Sequence, residues 1–148
     1  MSTHPYLRAF LAGIFVPVLL LPLILAGFVV IRLVLQFPVP IERALVFPLS
    51  LVPSLWGLWN MLWFGSHART HLPIGLHGTL LPILLMPVGA LVASCLGVLV
   101  LGSNGVTWFH ACHVPYALIV PVFLCALAGY YLAWKYIVGF VNRVLAIA

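Results

Sequence analysis

Acidic residues are almost missing from this chain. Glu42 is the only carboxylate side chain among 148 residues. One carboxylate excludes paired-carboxylate catalysis and leaves too few hard oxygen ligands for a magnesium or calcium site. A serine–histidine–acid triad has no acid near the histidines. Ion coupling through buried Asp or Glu has only Glu42 to use, and Glu42 stands at a predicted helix start. Charge of either sign is scarce: 5% of residues are charged and 66% are hydrophobic, with a mean hydropathy of +1.30. A soluble domain carries about 25% charged residues because its surface must face water. The solvent implied here is lipid.

Cysteine is also sparse. Cys95, Cys112 and Cys125 are odd in number and form no CxxC pair. Cys95 and Cys125 lie in apolar runs, where a thiol behaves as a small hydrophobe. Neither a disulfide framework nor a zinc ribbon is implied. The net charge of +5 does not indicate nucleic acid either, because Arg8, Arg32, Arg43, Arg69, Lys135 and Arg143 are scattered singly. A phosphate-binding surface needs its cations clustered. These residues read as charges flanking membrane segments.

Apolar runs are what the chain has in quantity. A hydrocarbon core about 30 Å thick needs roughly 20 apolar residues in a helix. Four segments qualify, at about 8–35, 42–66, 78–101 and 114–138. The first is too long for a signal-peptide core and is expected to remain as an uncleaved membrane helix. The predicted fold is therefore all-α: a single four-helix transmembrane domain made of two antiparallel hairpins. Arg8, Arg69, Lys135 and Arg143 fall on one face and Arg32 and Arg43 on the other, which predicts cytoplasmic termini in a plasma (inner) membrane.

An internal repeat supports the hairpins. "GIFVPVLLLP" (13–22) and "GTLLPILLMP" (78–87) share Gly, Pro, Leu, Leu and Pro at a constant offset, and "FPLSLVP" (47–53) aligns with "VPYALIVP" (114–121). A duplication would give parallel repeats about an axis along the membrane normal. Pro48, Pro82 and Pro115 fall near predicted helix starts, where a missing N–H costs little. Pro17, Pro22, Pro53, Pro87 and Pro121 sit deeper, and each removes an i→i−4 bond and is expected to kink its helix.

Small residues recur every four positions, as Gly89, Ala93 and Gly97 on the third helix and as Ala117, Pro121, Cys125, Gly129 and Ala133 on the fourth. That spacing lets backbones approach closely. The stripes are expected either to pack these two helices together or to form the seam of an oligomer.

Candidate sites centre on "WNMLWFGSHARTHLPIGLHG" (59–78). On a helix, Trp56, Asn60, Trp63, His67 and His71 share one face, and His77 returns at the start of the third helix. Three readings apply: an aromatic belt topped by interfacial histidines, a pocket for a quinone or lipid headgroup using Asn60 and His67, or a haem or metal site. For the last, His67 and His71 are spaced i, i+4, and His110, Cys112 and His113 lie in a second cluster. Asn60 is expected to face the interior, because lipid disfavours a bare amide. Arg32 and Glu42 match in depth across the first turn and are a candidate ion pair. The functional expectation is a non-enzymatic transport, scaffold or accessory subunit without a cofactor. It would work in the bilayer as a homo-oligomer or within a larger complex. The alternative is a redox subunit handling haem or quinone.

Overall fold

The computed structural model of the chain describes residues 4–36, 47–108, 110 and 112–147. Helix α1 (Pro5–Leu33) opens with Pro5, whose missing N–H is free of cost in the first turn, and it absorbs Pro17 and Pro22. Helix α2 (Phe47–Thr70) contains Pro53. It stops where His71 takes φ 50° and its N–H bonds the His67 carbonyl at 2.9 Å. Pro73 disfavours helical backbone at the residue before it. Helix α3 (Ile74–Cys95) restarts directly after Pro73.

Helix α3 ends earlier than the hydropathy implied. Gly97 adopts φ 68°, and the N–H groups of Gly97 and Val98 return to Ser94 and Ala93 at 3.0 and 2.9 Å. This is a Schellman cap, which requires a left-handed residue that glycine supplies without strain. The chain then forms a three-stranded antiparallel meander, β1 (Leu99–Leu101), β2 (Gly105–Trp108) and β3 (Cys112–Pro115). The all-α expectation holds for the bulk of the described residues, and the end of the third predicted segment with the following loop adds a small sheet that it did not include. Leu99 and Val106 are buried in this sheet, with Val98 just before β1. A side chain at Gly105 would collide with the Val114 carbonyl and lie 2.8 Å from Pro115 Cα, so the two strands close on bare backbone.

Helix α4 (Tyr116–Leu132) follows. It runs without a break through a π-helical segment (Ala133–Val138) into α5 (Gly139–Val144). The last helical run therefore extends past the expected end near residue 138. A second Schellman cap closes it, with Ala146 at φ 49° and Ile147 N–H on the Asn142 carbonyl at 2.9 Å.

Among the described residues, α1, α3 and the Tyr116–Val144 run are long and apolar enough to cross a membrane. Helix α2 is less apolar, since three tryptophans, Asn60 and two prolines interrupt it. Helices α1 and α2 run antiparallel: Tyr6 meets Phe64 edge-on at 5.2 Å, and Gly13 lies against Gly57. Helix α3 is antiparallel to the C-terminal run, with Ile74 beside Gly139 and Gly78 against Trp134. The N-terminal half of α1, the α2–α3 turn and the C-terminus thus meet at one end of the molecule.

Burial concentrates at that end. One core joins Val16, Trp56, Leu81, Trp134 and Val138, and a second joins Ala9, Ala12 and Ile147. Beyond Leu81 no residue of α3 is buried, and none of α4 is. The helices are tightly packed at one end and spread at the other.

Close approach occurs at glycines outside the predicted stripes. A Cβ on Gly13 would fall 2.9 Å from both Gly57 Cα and Asn60 Cβ. By contrast, a Cβ on Gly89 or Gly129 would meet nothing within 4 Å. Of the residues expected to pack α3 on α4 (Gly89, Ala93, Gly97, Ala117, Cys125, Gly129 and Ala133), Gly89 and Gly129 make no close approach, whereas Ala133 packs against the core. Gly97 is a helix cap, and Gly89, Ala117, Cys125 and Gly129 are exposed. Overpacking a tight contact typically costs about 1–3 kcal/mol. Gly13→Ala should therefore destabilise the protein by about that amount in reversible detergent unfolding, while Gly89→Ala stays neutral. Equal midpoints for the two variants would overturn the Gly13–Gly57 contact.

Candidate functional site

Asn60 follows Trp56 by one turn of α2, and both point inward. Asn60 is fully buried. Its Nδ2 donates to the Ala9 carbonyl at 2.7 Å and to Asn142 Oδ1 at 2.9 Å. Asn142 Nδ2 donates back to Asn60 Oδ1 at 3.2 Å. The two amides form a closed reciprocal pair that joins α1, α2 and α5. Both N–H groups of Asn60 are used within the protein, so the amide acts as a tie between helices.

Trp63 is buried on the same face, and its Nε1 donates to the Leu72 carbonyl at 3.3 Å, holding the α2–α3 turn. His67 stacks on the Trp63 ring at 4.8 Å between centroids. Its Nδ1 lies 2.8 Å from the Phe64 carbonyl. A carbonyl only accepts, so this ring carries its proton on Nδ1. His71 is exposed and turned out of the helix by its left-handed backbone. The predicted i, i+4 pair with His67 is therefore not formed.

His77 is buried in the first turns of α3. Its carbonyl accepts from Trp59 Nε1 at 2.8 Å, and its ring lies 4.8 Å from Trp59 and 6.3 Å from Trp134. Trp134 in turn lies 5.2 Å from Trp56. This aromatic layer holds the two helix pairs together. Three of its buried nitrogens, Trp56 Nε1, Trp134 Nε1 and His77 Nδ1, have no hydrogen-bond partner among the described residues.

Above the layer, toward the spread end, α1 and α2 part around an apolar cleft of about 270 Å³. Pro17 and Pro53 form its walls, with Trp56 and Tyr130 also lining it. Leu20 and Ile24 extend it along α1. The predicted Trp/Asn/His stripe therefore separates by depth: Trp56 borders the cleft, whereas Asn60 and Trp63 are core.

The second histidine cluster does not converge. Cys112 and His113 are consecutive in β3, so their side chains leave opposite faces of the sheet. His113 Nδ1 lies 3.4 Å from Thr107 Oγ1, and His110 sits at φ 56° in the preceding turn. Among the described residues, no three His, Cys or acidic side chains come together as a metal site. Glu42 of the proposed Arg32–Glu42 pair lies outside the described residues, and Arg32 is in the last turn of α1.

Sequence reasoning gave Val138 and Asn142 no role and took Trp134 for a member of the interfacial aromatic belt, whereas it is fully buried. A usable signal was present, since Asn142 is a second lone amide in an apolar stretch, "GFVNRV". No protein-family model, curated protein or solved structure matches the chain.

The amide pair predicts non-additive mutations. Asn60→Leu leaves Asn142 buried without its partner and should cost about 1–3 kcal/mol. The Asn60→Leu/Asn142→Leu double variant should recover part of that loss, because no amide is then left unsatisfied. Strict additivity in a double-mutant cycle of unfolding free energies would show that the pair is not coupled.

Proposed function

We propose that the chain is a four-helix integral membrane protein of the plasma (inner) membrane with cytoplasmic termini. It works without enzymatic chemistry as a scaffold or accessory subunit assembled with further copies of itself or a larger membrane complex. The observation that carries this reading is the bare state of α4, which buries none of its residues. Helices in lipid associate by close packing of small side chains, and an exposed stripe gains contacts only when another helix covers it. Ala117, Cys125 and Gly129 form such a stripe with open space at Gly129.

The two hairpins are further read as a duplication. Gly13 and Val16 of the first repeat correspond to Gly78 and Leu81 of the second, and all four are buried. Gly13 rests against the backbone of Trp56 and Gly57, and Gly78 against the indole of Trp134. The two tryptophans then touch between the hairpins.

Mass measurement in native nanodiscs tests the assembly. The expected particle holds more than one 16.2 kDa chain or a co-purifying subunit. Gly129→Leu should lower that mass without changing helix content. A single chain per particle in the wild type would refute the assembly reading. Orientation has its own test in the exposed Cys112, which lies in the sheet at the end opposite the termini. A membrane-impermeant maleimide should label Cys112 in intact cells, and Cys112→Ala should remove that label. Labelling only after permeabilisation would invert the topology.

A further inference from the structure

We propose that the packed end of the bundle is a docking surface for anionic phospholipid, organised around Lys135. The C-terminal run Tyr116–Val144 has 29 residues. At 1.5 Å per residue this is about 43 Å, well beyond a hydrocarbon core of about 30 Å. Counted from Tyr116, roughly 20 residues cross that core. The crossing ends at Lys135 and leaves α5 among the headgroups.

Lys135 is exposed there between two aromatic rings. Its Nζ lies 5.5 Å from the Tyr131 ring centre and 5.2 Å from that of Tyr136. Cation–π attraction to both rings restrains the ammonium. The phenolic hydroxyls are further hydrogen-bond donors suited to a phosphate. Tyrosine at the boundary between acyl chain and headgroup is the usual arrangement in membrane proteins.

Other cations share this end. Gly75, at the start of α3, lies against Tyr131 and Lys135, which places the lysine level with the α2–α3 turn and Arg69 in the last turn of α2. Arg8 precedes Ala9, and Arg143 follows Asn142. The Ala9–Asn60–Asn142 hydrogen bonds bring those two neighbours into the same end. No described residue is acidic, so no carboxylate side chain among them neutralises this end. Inward from Lys135 on the same side of the helix, Leu132, Ala128 and Leu124 are exposed and apolar. A phosphate held at Lys135 thus has an apolar surface beside it for the attached acyl chains. That combination fits a diacyl anionic phospholipid better than a free anion.

The proposal rests on the membrane placement and not on assembly, so lipid preference and particle mass can fail separately. The test compares nanodiscs of phosphatidylcholine with nanodiscs of equal parts phosphatidylcholine and phosphatidylglycerol. Thermal unfolding and the lipids retained in native mass spectrometry are the readouts. Phosphatidylglycerol should raise the midpoint and be retained selectively. Lys135→Gln with Arg143→Gln should weaken that retention about 30-fold, the factor for about 1 kcal/mol per cation near an anionic leaflet. Lys135→Arg should keep it, which guards against a variant that merely fails to fold. Equal midpoints in the two lipids, or unchanged retention in the double glutamine variant, would overturn the proposal. A midpoint shift reproduced by inorganic phosphate in phosphatidylcholine alone would also overturn it, because the surface would then take a free anion.

Discussion

The reciprocal amide bond between Asn60 and Asn142 is the constraint around which the packed end is organised. An amide buried among apolar side chains is costly unless every donor and acceptor finds a partner. Asn60 meets that demand with two segments distant in sequence, the Ala9 carbonyl of α1 and the Asn142 side chain of α5. Apolar contact in a greasy bundle is permissive, because one leucine face fits another in many registers. The amide pair is not permissive. It selects one rotation of α2 and one of α5, and Gly13 and Gly57 then let α1 close down on the same layer.

The spread half follows from the same distribution. Beyond Leu81 on α3 and on all of α4 there is no buried residue, and interior prolines occur in α1, α2, α3 and α4. Each interior proline removes a backbone donor and leaves a carbonyl to be satisfied locally. Stability is therefore concentrated at one end, while the apolar cleft beside Pro17 and Pro53 opens where inter-helix packing runs out. The sheet closes the far end with backbone hydrogen bonds among short strands, in a region where helix packing contributes little.

Much of this was legible in the residues. Long apolar runs identify the helices because few other structures satisfy the backbone in lipid. The inward orientation of Asn60 follows from the cost of exposing an amide to acyl chains. The repeat "GxxxP" points at Gly13 and Gly78, both of which are buried. What escaped was everything that depends on partners far away in sequence. Asn142 lay beyond the helix end that hydropathy suggested, so its role as the second amide was invisible. The strand segments are only three or four residues long, too short for a period-two pattern to stand out from apolar background. Glycine spacing misled for a different reason. A small residue is equally compatible with a contact and with open lipid, and spacing alone does not distinguish Gly129 from Gly57.

The π-helical segment at Ala133–Val138 sets a rotation as well as a shape. Wide turns of this kind occur mostly as single turns inside an α-helix, often where function is concentrated. One residue in an α-helix corresponds to about 100° of rotation at 3.6 residues per turn. A helix shorter by one residue here would present position 142 on a different face, away from Asn60. The amide tie between the two hairpins thus depends on the wide turn, which sets the rotation at which their otherwise permissive apolar surfaces lock into one body.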